Sequence, residues 1–308
     1  MQIKQYRDQF IRELSPMYDS GEAESFFYLI LEEKHKLKRI DLALNPDLTF
    51  SNEEVQYWNS ILEQLKQEIP IQYLLGKTSF YGLDFEVNPA VLIPRPETEE
   101  LVEWIIQSTR SALGSGKWKA GSVKLEDRSQ KINILDIGTG SGCIAISLAK
   151  NIPNGHVFAI DVSKKALATA KKNAIKNEVE VHFIKADILI IDDLQKLLTS
   201  HFPLPTYFDI IVSNPPYVRE LEKEEIKKNV LDNEPHLALY VKDNDALVFY
   251  RKIAELAQKN LTPEGQLFFE INQYLGKEMI DLLERMEFKN IELRKDIYGN
   301  DRMIRGTI

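Results

Sequence analysis

The sequence is poor in residues that cross-link a chain or hold a metal. Cys143 is the single cysteine among 308 residues, so no internal disulfide can form. The five histidines show no metal-ligand spacing. We interpret Cys143 as a small packed residue rather than a nucleophile. These absences predict a cytoplasmic protein without a metal site.

Long apolar runs and excess positive charge are also missing. The longest apolar candidate, Phe26 to Leu31, is far too short to cross a bilayer, and the polar start MQIKQYRDQF lacks the apolar core of a signal peptide. The formal net charge is −8. Because nucleic-acid backbones are held by clustered Lys and Arg, we expect no nucleic-acid partner, although a local basic patch can sit on an acidic chain. We also expect no membrane partner and a monomer.

Two domains are predicted from the length, the 44% hydrophobic composition and the pattern along the chain. Residues 1 to about 70 read as helices, and Pro70 ends that region. Ser51 and Glu54 have capping-box spacing, with Phe50 and Val55 placed for a hydrophobic staple. The apolar stripe of the helix that follows consists of Val55, Trp58, Leu62 and Leu65. We interpret residues 1–75 as this small helical domain.

Residues 76–308 are predicted to form the larger domain, beginning with a hairpin linker. Short strands surround Gly82, and Pro94 and Pro96 stop regular structure before a helix that starts near Thr98. Its predicted buried positions are Leu101, Val102, Trp104 and Ile105. Residues 110–131 are rich in Gly, Ser and charge, and we expect a surface loop there.

Strands and helices alternate from residue 132 onward. The predicted strands are Ile132 to Ile137, His156 to Ile160, Val181 to Ile184, Phe208 to Ser213 and Gly265 to Ile271. Helical stretches such as 163–177 and 245–260 lie between them. This alternation predicts an α/β domain with a parallel sheet covered on both faces. The end of the chain reads as an antiparallel pair, 291–294 with 303–307.

A glycine-rich loop follows the first of these strands, in the segment Leu135 to Gly142. Glycines let a backbone turn tightly and approach a ligand without a Cβ in the way. The next strand ends at Asp161, whose carboxylate can accept both hydroxyls of a ribose. The candidate cofactor-binding residues of the loop are Gly138, Thr139, Gly140, Ser141 and Gly142. Such turns also occur without a ligand.

Charge separates two cofactor classes for this loop. It reads G-x-G-x-G and follows Asp136. A carboxylate there would repel the pyrophosphate of a dinucleotide, whereas it suits the ammonium or sulfonium end of S-adenosylmethionine. Asp187 ends the third strand and could accept from the adenine amino group; an ordinary strand-end aspartate is the alternative interpretation.

The fourth strand runs into Asn214-Pro215-Pro216-Tyr217, on the same rim of the sheet. The Asn214 side-chain oxygen and the Pro215 carbonyl are two acceptors that match an NH₂ group, and Tyr217 offers a ring face to a planar substrate. When these two acceptors hold both hydrogens of an NH₂ group, its poorly nucleophilic nitrogen points at the donor methyl. Positioning can then supply much of the rate of methyl transfer. A Pro-Pro turn after a strand is the alternative. We take Asn214, Pro215 and Tyr217 as candidate catalytic residues, and Asn214 through Tyr217 as substrate-binding, with Asn214 also near the cofactor.

The glycine loop and the Asn-Pro-Pro-Tyr motif together resemble class I S-adenosylmethionine-dependent methyltransferases that act on planar amino groups. More narrowly, the chain resembles the HemK/PrmC family of protein-glutamine methyltransferases. Further matching segments are Pro70 to Gly76, Pro94 to Glu99 and Gly299 to Arg302. The resemblance implies a Rossmann-like catalytic domain with a seven-stranded sheet and a C-terminal antiparallel hairpin, plus a small all-α N-terminal domain. It adds Arg95 and Glu99 as residues that shape the pocket.

The resemblance also implies the substrate, which is the glutamine of the Gly-Gly-Gln motif in class I peptide-chain release factors. The helical domain would contact the release factor. The chain departs from the family pattern at residues 240–247, at Asn272 after Glu270-Ile271, and in the length of the 110–131 loop. Three alternatives stay open. They are an adenine-N6 DNA methyltransferase, which would need to flip its base and grip a duplex, a glutamine methyltransferase of a ribosomal protein, and a non-catalytic cofactor-binding module.

Overall fold

A computed structural model of the protein describes residues 1–114, 131–199, 205, 207–225, 228–241 and 243–308. The chain divides into two compact units. The first contains residues 1–77 together with a short return segment that ends at Asn233, and the second contains the rest of the chain. No helix in the described ranges is long and apolar enough to span a membrane.

The α-helices of the described residues are α1 (Ile3–Leu14), α2 (Ser20–His35), α3 (Arg39–Leu44), α4 (Asn52–Lys66), α5 (Ile71–Leu75), α6 (Pro96–Gly114), α7 (Cys143–Asn151), α8 (Lys164–Lys176), α9 (Leu194–Thr199), α10 (Lys228–Asn233), α11 (His236–Leu239), α12 (Val248–Asn260) and α13 (Gly276–Arg285). The strands are β1 (Lys77–Phe80), β2 (Leu83–Glu86), β3 (Ile132–Ile137), β4 (Gly155–Asp161), β5 (Val181–Lys185), β6 (Phe208–Ser213), β7 (Val218–Arg219), β8 (Tyr240–Val241), β9 (Leu261–Glu270), β10 (Lys289–Lys295) and β11 (Asp301–Thr307).

The first unit is helical, as predicted, and its core is aromatic. The Trp58 ring packs within 6 Å of the rings of Tyr6, Phe10, Phe27 and Phe50, in tilted and edge-on contacts. These rings come from α1, α2, α4 and the residue before Ser51, the N-cap of α4. The Trp58 side chain therefore joins these elements. The predicted stripe is confirmed at Trp58, Leu62 and Leu65, which are buried.

The predicted start of α4 is confirmed in detail. The Glu54 N–H donates to Ser51 Oγ at 3.1 Å, and the Ser51 N–H donates to Glu54 Oε2 at 2.7 Å. This capping box satisfies two backbone donors that the helix itself leaves open. One helix was not predicted. Pro70 is followed by α5, because proline is well suited to the entry of a helix.

The second unit is built on a seven-stranded sheet with the order β10-β11-β9-β6-β3-β4-β5. Strands β3, β4, β5, β6 and β9 are parallel, and β11 is antiparallel to both β9 and β10. The predicted strands and the C-terminal antiparallel pair are therefore confirmed. Apolar clusters cover both faces of the sheet, which is the arrangement that buried parallel strands require.

The strand order reverses between β3 and β6. From β3 the chain proceeds through β4 to β5 on one side, and it then returns to place β6 on the other side of β3. Ligands of open parallel sheets bind beyond the carboxyl ends of the strands at such a switch point. The glycine loop follows β3 and the Asn-Pro-Pro-Tyr segment follows β6, so the topology brings the two motifs together.

The hairpin β1–β2 precedes α6 and is tied to it. Its turn residues Tyr81 and Gly82 both have positive φ, 50° and 71°, as two-residue hairpin turns require. The Tyr81 N–H donates to Glu99 Oε1 at 2.8 Å, and its hydroxyl donates to Glu103. Glu99 therefore holds the hairpin turn.

Two expectations for α6 were wrong. Pro96 does not stop regular structure but begins the helix, because the first helical residue needs no N–H donor. Residues 110–114 were predicted as part of a surface loop and instead complete α6, whose buried face continues to Ala112. The remainder of that predicted loop, 115–130, lies outside the described residues. The predicted buried side chains of this helix, Leu101, Val102, Trp104 and Ile105, are confirmed.

Candidate active site

A cleft opens at the switch point of the sheet, with a cavity volume of about 240 Å³. Its walls come from the glycine loop, the ends of β4 and β5, the Asn-Pro-Pro segment, and the stretches before α6 and around α11. The two motifs approach closely, since a Cβ placed on Gly138 would lie 3.9 Å from the Asn214 carbonyl oxygen. Predicted residues that line the cleft are Gly138, Thr139, Gly140, Ser141, Asp161, Asp187, Asn214, Pro215 and Pro216.

The glycine loop has a backbone that only glycine adopts readily. Gly138, Gly140 and Gly142 have φ values of 78°, 56° and 84°, in the left-handed region. The N–H groups of Gly138 and Thr139 donate to the Ile160 carbonyl at 2.8 and 3.1 Å, which fastens the loop to β4. Gly142 does not line the cleft; it packs instead against Ile146 and Ala170 at the start of α7.

Asp161 holds the loop and also faces the cleft. Its Oδ2 accepts the Gly140 N–H at 2.9 Å, and its Oδ1 accepts the Ser163 N–H at 2.8 Å. Each carboxylate oxygen has a second acceptor site, so hydrogen bonding to a ligand hydroxyl remains possible at both. Burial raises the pKa of Asp161, while these backbone donors lower it.

The other two acidic residues of this region have different surroundings. Asp187 lines the cleft, and its Oδ1 accepts the Leu189 N–H at 3.0 Å. Asp136, which we expected to suit a cationic ligand, is fully buried and is not part of the cleft wall. Its Oδ2 accepts the Thr139 hydroxyl at 2.6 Å. Burial raises the pKa of Asp136 to about 7, although that hydrogen bond lowers it.

The Asn-Pro-Pro-Tyr segment divides its side chains between the cleft and the core. Asn214, Pro215 and Pro216 line the cleft, whereas Tyr217 does not. The Tyr217 ring packs against the hydrophobic core cluster on one face of the sheet, and its hydroxyl donates to Glu270 Oε1 at 3.2 Å. The structure thus gives this ring a position different from the substrate-facing one that we expected.

A buried polar cluster that we did not predict connects both ends of this segment to β9. The Thr98 hydroxyl donates to Glu270 Oε2 at 2.6 Å, and Asn214 Nδ2 donates to Thr98 Oγ1 at 3.5 Å. Thr98 and Glu270 are 2% and 1% exposed. Burial raises the pKa of Glu270, and the Thr98 hydroxyl and the nearby Arg302 charge lower it. Thr98 lies in a segment that carried the resemblance, and Glu270 lies two residues before the departure at Asn272, but spacing alone assigns them no partner.

Asn272, a departure from the family pattern, belongs to the same region. Its Nδ2 donates to the Tyr217 carbonyl at 3.0 Å and to Glu222 Oε2 at 2.8 Å. Glu222 in turn accepts the N–H and the guanidinium of Arg219, in the short strand β7 that directly follows the motif. Strand β7 pairs in parallel with β8, at residues 240–241 of the other departing segment. The two departures therefore lie beside the motif.

An ion pair also lies at the wall of the cleft. Arg95 lines it and forms an ion pair with Glu234, which is buried and also accepts the Ile93 N–H at 3.2 Å. Glu99, predicted with Arg95 to shape the pocket, contacts the hairpin turn instead and is not in the cleft wall. Cys143 lines the cleft, but burial raises its pKa to about 12, so its thiol stays protonated and is a poor nucleophile.

Across the described ranges, His, Cys, Asp and Glu form no group of three or more placed to hold a metal ion. The site instead combines glycine backbone, carboxylates and amide or carbonyl acceptors. This donor set fits an uncharged or cationic organic ligand with hydroxyl and amino groups.

Comparisons with known proteins agree with this architecture. A family model described as "Methyltransferase domain" matches residues 128–299, and one described as "PrmC N-terminal domain" matches residues 5–76. The chain is 60% identical over 305 residues to the release factor glutamine methyltransferase of Flavobacterium psychrophilum, covering 99% of each chain. It is 41% identical over 296 residues to the protein of the same name from Bacteroides thetaiotaomicron, covering 96% of each.

Among solved structures, the fold is similar to that of the hMettl16 catalytic domain in complex with MAT2A 3′UTR hairpin 1. The TM-score is 0.53 at 16% identity, with 74% of this chain and 76% of that chain covered. At this identity the likeness shows the class I methyltransferase fold alone.

Proposed function

The chain belongs to the release factor glutamine methyltransferase family, and we propose that it transfers a methyl group from S-adenosylmethionine to a glutamine side-chain amide nitrogen in another protein. The proposed substrate is the Gly-Gly-Gln glutamine of class I peptide-chain release factors. The observation that carries the proposal is the placement of Asn214 and Pro215 in the cleft wall, beside the glycine loop.

The cleft wall fits the proposed methyl donor. The left-handed glycines leave loop backbone without Cβ atoms at the cleft, and Asp161 presents a carboxylate to it. We assign Gly138 through Ser141 and Asp161 to the donor, with Asp161 accepting the ribose hydroxyls, Asp187 accepting from the adenine amino group and Asn214 beside the methyl-bearing end. S-adenosylmethionine, when bound, supplies a methyl carbon activated by a sulfonium leaving group.

The protein's part in the chemistry is to position an amide nitrogen. Asn214 Oδ1 and the Pro215 carbonyl accept the two amide hydrogens, which fixes the nitrogen and favours localisation of its lone pair. The same acceptors favour the positive charge that develops on nitrogen during transfer. No general base is needed, because the nitrogen loses a proton readily once it has become cationic. Most of the rate therefore comes from orientation.

The N-terminal unit is proposed to recognise the release factor. It exposes large apolar side chains, Leu29 on α2 and Ile40 and Leu44 on α3, at 50%, 59% and 71%. Ile40→Asp with Leu44→Asp should raise KM for an intact release factor and leave the rate with a short Gly-Gly-Gln peptide unchanged. Equal effects on both substrates would remove the assignment.

The central experiment is mass spectrometry of a class I release factor incubated with the protein and S-adenosylmethionine. We expect one added methyl group on the Gly-Gly-Gln glutamine. A release factor with that glutamine changed to alanine controls for site, and a DNA duplex controls for the adenine-N6 alternative. Methyl transfer to DNA, or none to the release factor, would contradict the proposal. We also propose a cytoplasmic location and a monomer as the active form.

A further inference from the structure

Three side chains from separate segments form a chain of hydrogen bonds that ends in the cleft. Asn214 follows β6, Thr98 lies in the first turn of α6, and Glu270 ends β9. The Asn214 Nδ2 to Thr98 Oγ1 distance is 3.5 Å, and the Thr98 Oγ1 to Glu270 Oε2 distance is 2.6 Å. Thr98 and Glu270 are almost fully buried, so water does not readily substitute for either partner.

The order of donors and acceptors along this chain of hydrogen bonds follows from the contacts at Glu270. Both of its side-chain oxygens accept a hydroxyl hydrogen, Oε2 from Thr98 and Oε1 from Tyr217, so the single hydroxyl hydrogen of Thr98 points to Glu270. Thr98 Oγ1 then offers only lone pairs to Asn214, which must turn its NH₂ toward Thr98. Asn214 Oδ1 accepts no hydrogen bond from any described residue. A carboxylate two side chains away thus decides which end of the asparagine amide is available to a ligand.

We propose that Thr98 and Glu270 are positioning residues that hold the Asn214 amide in the rotation that presents its oxygen, rather than its nitrogen, to the substrate amide. The inference rests on the proposed function and deepens it. An asparagine amide is nearly symmetric in shape, so packing alone barely distinguishes its two rotations. The inverted rotation would place an NH₂ donor opposite the substrate NH₂, and one of the two acceptors would be lost.

The other end of the motif is held by the same carboxylate. The Tyr217 hydroxyl donates to Glu270 Oε1 at 3.2 Å, and Asn272 donates to the Tyr217 carbonyl at 3.0 Å. Glu270 therefore accepts one hydrogen bond on each side-chain oxygen. One comes from Thr98, which contacts Asn214, and the other comes from Tyr217 itself. Buried networks of this kind are stable only when every member is satisfied, so they hold a single arrangement.

The test uses Thr98→Val, which keeps the shape of the side chain and removes the hydroxyl. We expect kcat/KM for release-factor methylation to fall roughly 10- to 100-fold, the range for a misoriented reacting group. Thr98→Ser restores the hydroxyl and should recover most of the rate. Thr109→Val is the matched control. Thr109 is equally buried on the same helix, but its hydroxyl donates to the Ile105 carbonyl at 2.8 Å, so its loss should leave kcat/KM unchanged.

A second measurement separates positioning from general damage. The wild-type protein should bind a release factor with Gly-Gly-Gln more tightly than the same factor with Gly-Gly-Glu, because two acceptors face a carboxylate unfavourably. In Thr98→Val this preference should shrink or invert, since the free Asn214 amide can offer its NH₂ to the carboxylate. Local unfolding would weaken both bindings equally and leave the ratio unchanged.

The outcomes distinguish the two claims. If wild-type protein fails to methylate the release factor, the proposed function is wrong. If it methylates normally and Thr98→Val keeps both the wild-type rate and the wild-type Gln-to-Glu binding ratio, the positioning inference is overturned while the function stands. A loss of rate with an unchanged binding ratio also overturns the inference.

Discussion

The Asp161 carboxylate accepts the Gly140 N–H at 2.9 Å, and this contact ties the end of β4 to the loop that follows β3. The same carboxylate also lines the cleft at the switch point, so one residue both holds the loop and faces the space where a ligand would lie. The Ser163 N–H occupies its other oxygen at 2.8 Å. A neutral replacement cannot satisfy both backbone donors.

Asp161→Asn should raise the Kd for S-adenosylmethionine at least 10-fold. The variant has one acceptor oxygen and one NH₂ group, so the NH₂ must face one of the two N–H donors, and the loop is displaced. Isothermal titration calorimetry checks this. Asp209→Asn is the control, because Asp209 also accepts a backbone N–H, from Asn133 at 2.8 Å, but near the amino end of β6. Equal affinities in wild-type protein and Asp161→Asn would contradict the assignment.

Asn214→Ala should lower kcat by about 10²- to 10³-fold, the effect typical of removing one preorganised polar contact to the transition state. Affinity for S-adenosylmethionine should change only a few-fold, because the loop and Asp161 stay in place. Single-turnover methylation of a release factor measures the first effect, and calorimetry measures the second. A wild-type rate in Asn214→Ala would exclude the proposed amide grip.

Local patterns were sufficient to predict much of the fold. Strand β6 and the capping box of α4 were predicted to the residue, because alternating buried strands and end caps are set by neighbours in sequence. Pro96 was misread because a proline can either end one element or begin the next. The short strands β7 and β8 were missed, since two-residue pairs have no periodicity to detect.

The site was predictable only where sequence neighbours form it. The glycine loop and the Asn-Pro-Pro-Tyr segment are continuous stretches whose residue types suggest their chemistry. The contact between Thr98 and Glu270 joins residues 172 positions apart, and neither residue type is unusual in its own segment. The position of the Tyr217 ring depended on packing against the sheet, which only the three-dimensional structure supplies.

Gly142→Ala should destabilise the protein more than Gly140→Ala. Both glycines have positive φ, so both alanines carry a backbone cost of about 1–2 kcal/mol. At Gly142 a Cβ would also lie 2.9 Å from Ile146 Cδ1 and 3.1 Å from Ala170 Cβ, whereas at Gly140 nothing lies within 4 Å. Urea denaturation of the two variants checks the order. Equal losses of stability would mean that α7 and α8 adjust around the new methyl group.

Asp136 should make the protein less stable as the pH rises from about 4 to about 7. Burial raises its pKa from the usual 3.8 to about 7 in the folded protein. Below pH 4 the carboxyl is protonated in both folded and unfolded chains, and its contribution is fully present. Between the two pKa values the unfolded chain loses the proton and the folded chain keeps it, so the free energy of unfolding falls by about 1.4 kcal/mol per pH unit. Above pH 7 the loss is complete, at about 4 kcal/mol.

Asp136→Asn isolates this effect, because an asparagine oxygen can still accept the Thr139 hydroxyl while carrying no charge. The difference in unfolding free energy between the variant and the wild-type protein should increase in favour of the variant from pH 4 to pH 7 and stay constant above it. Urea denaturation at several pH values measures the difference, and all other titrating groups cancel in it. A flat difference across this range would show that the Asp136 carboxylate is stabilised in the folded protein as well as it is in water. In that case the buried position beneath the glycine loop would carry no electrostatic cost for a cationic ligand to relieve.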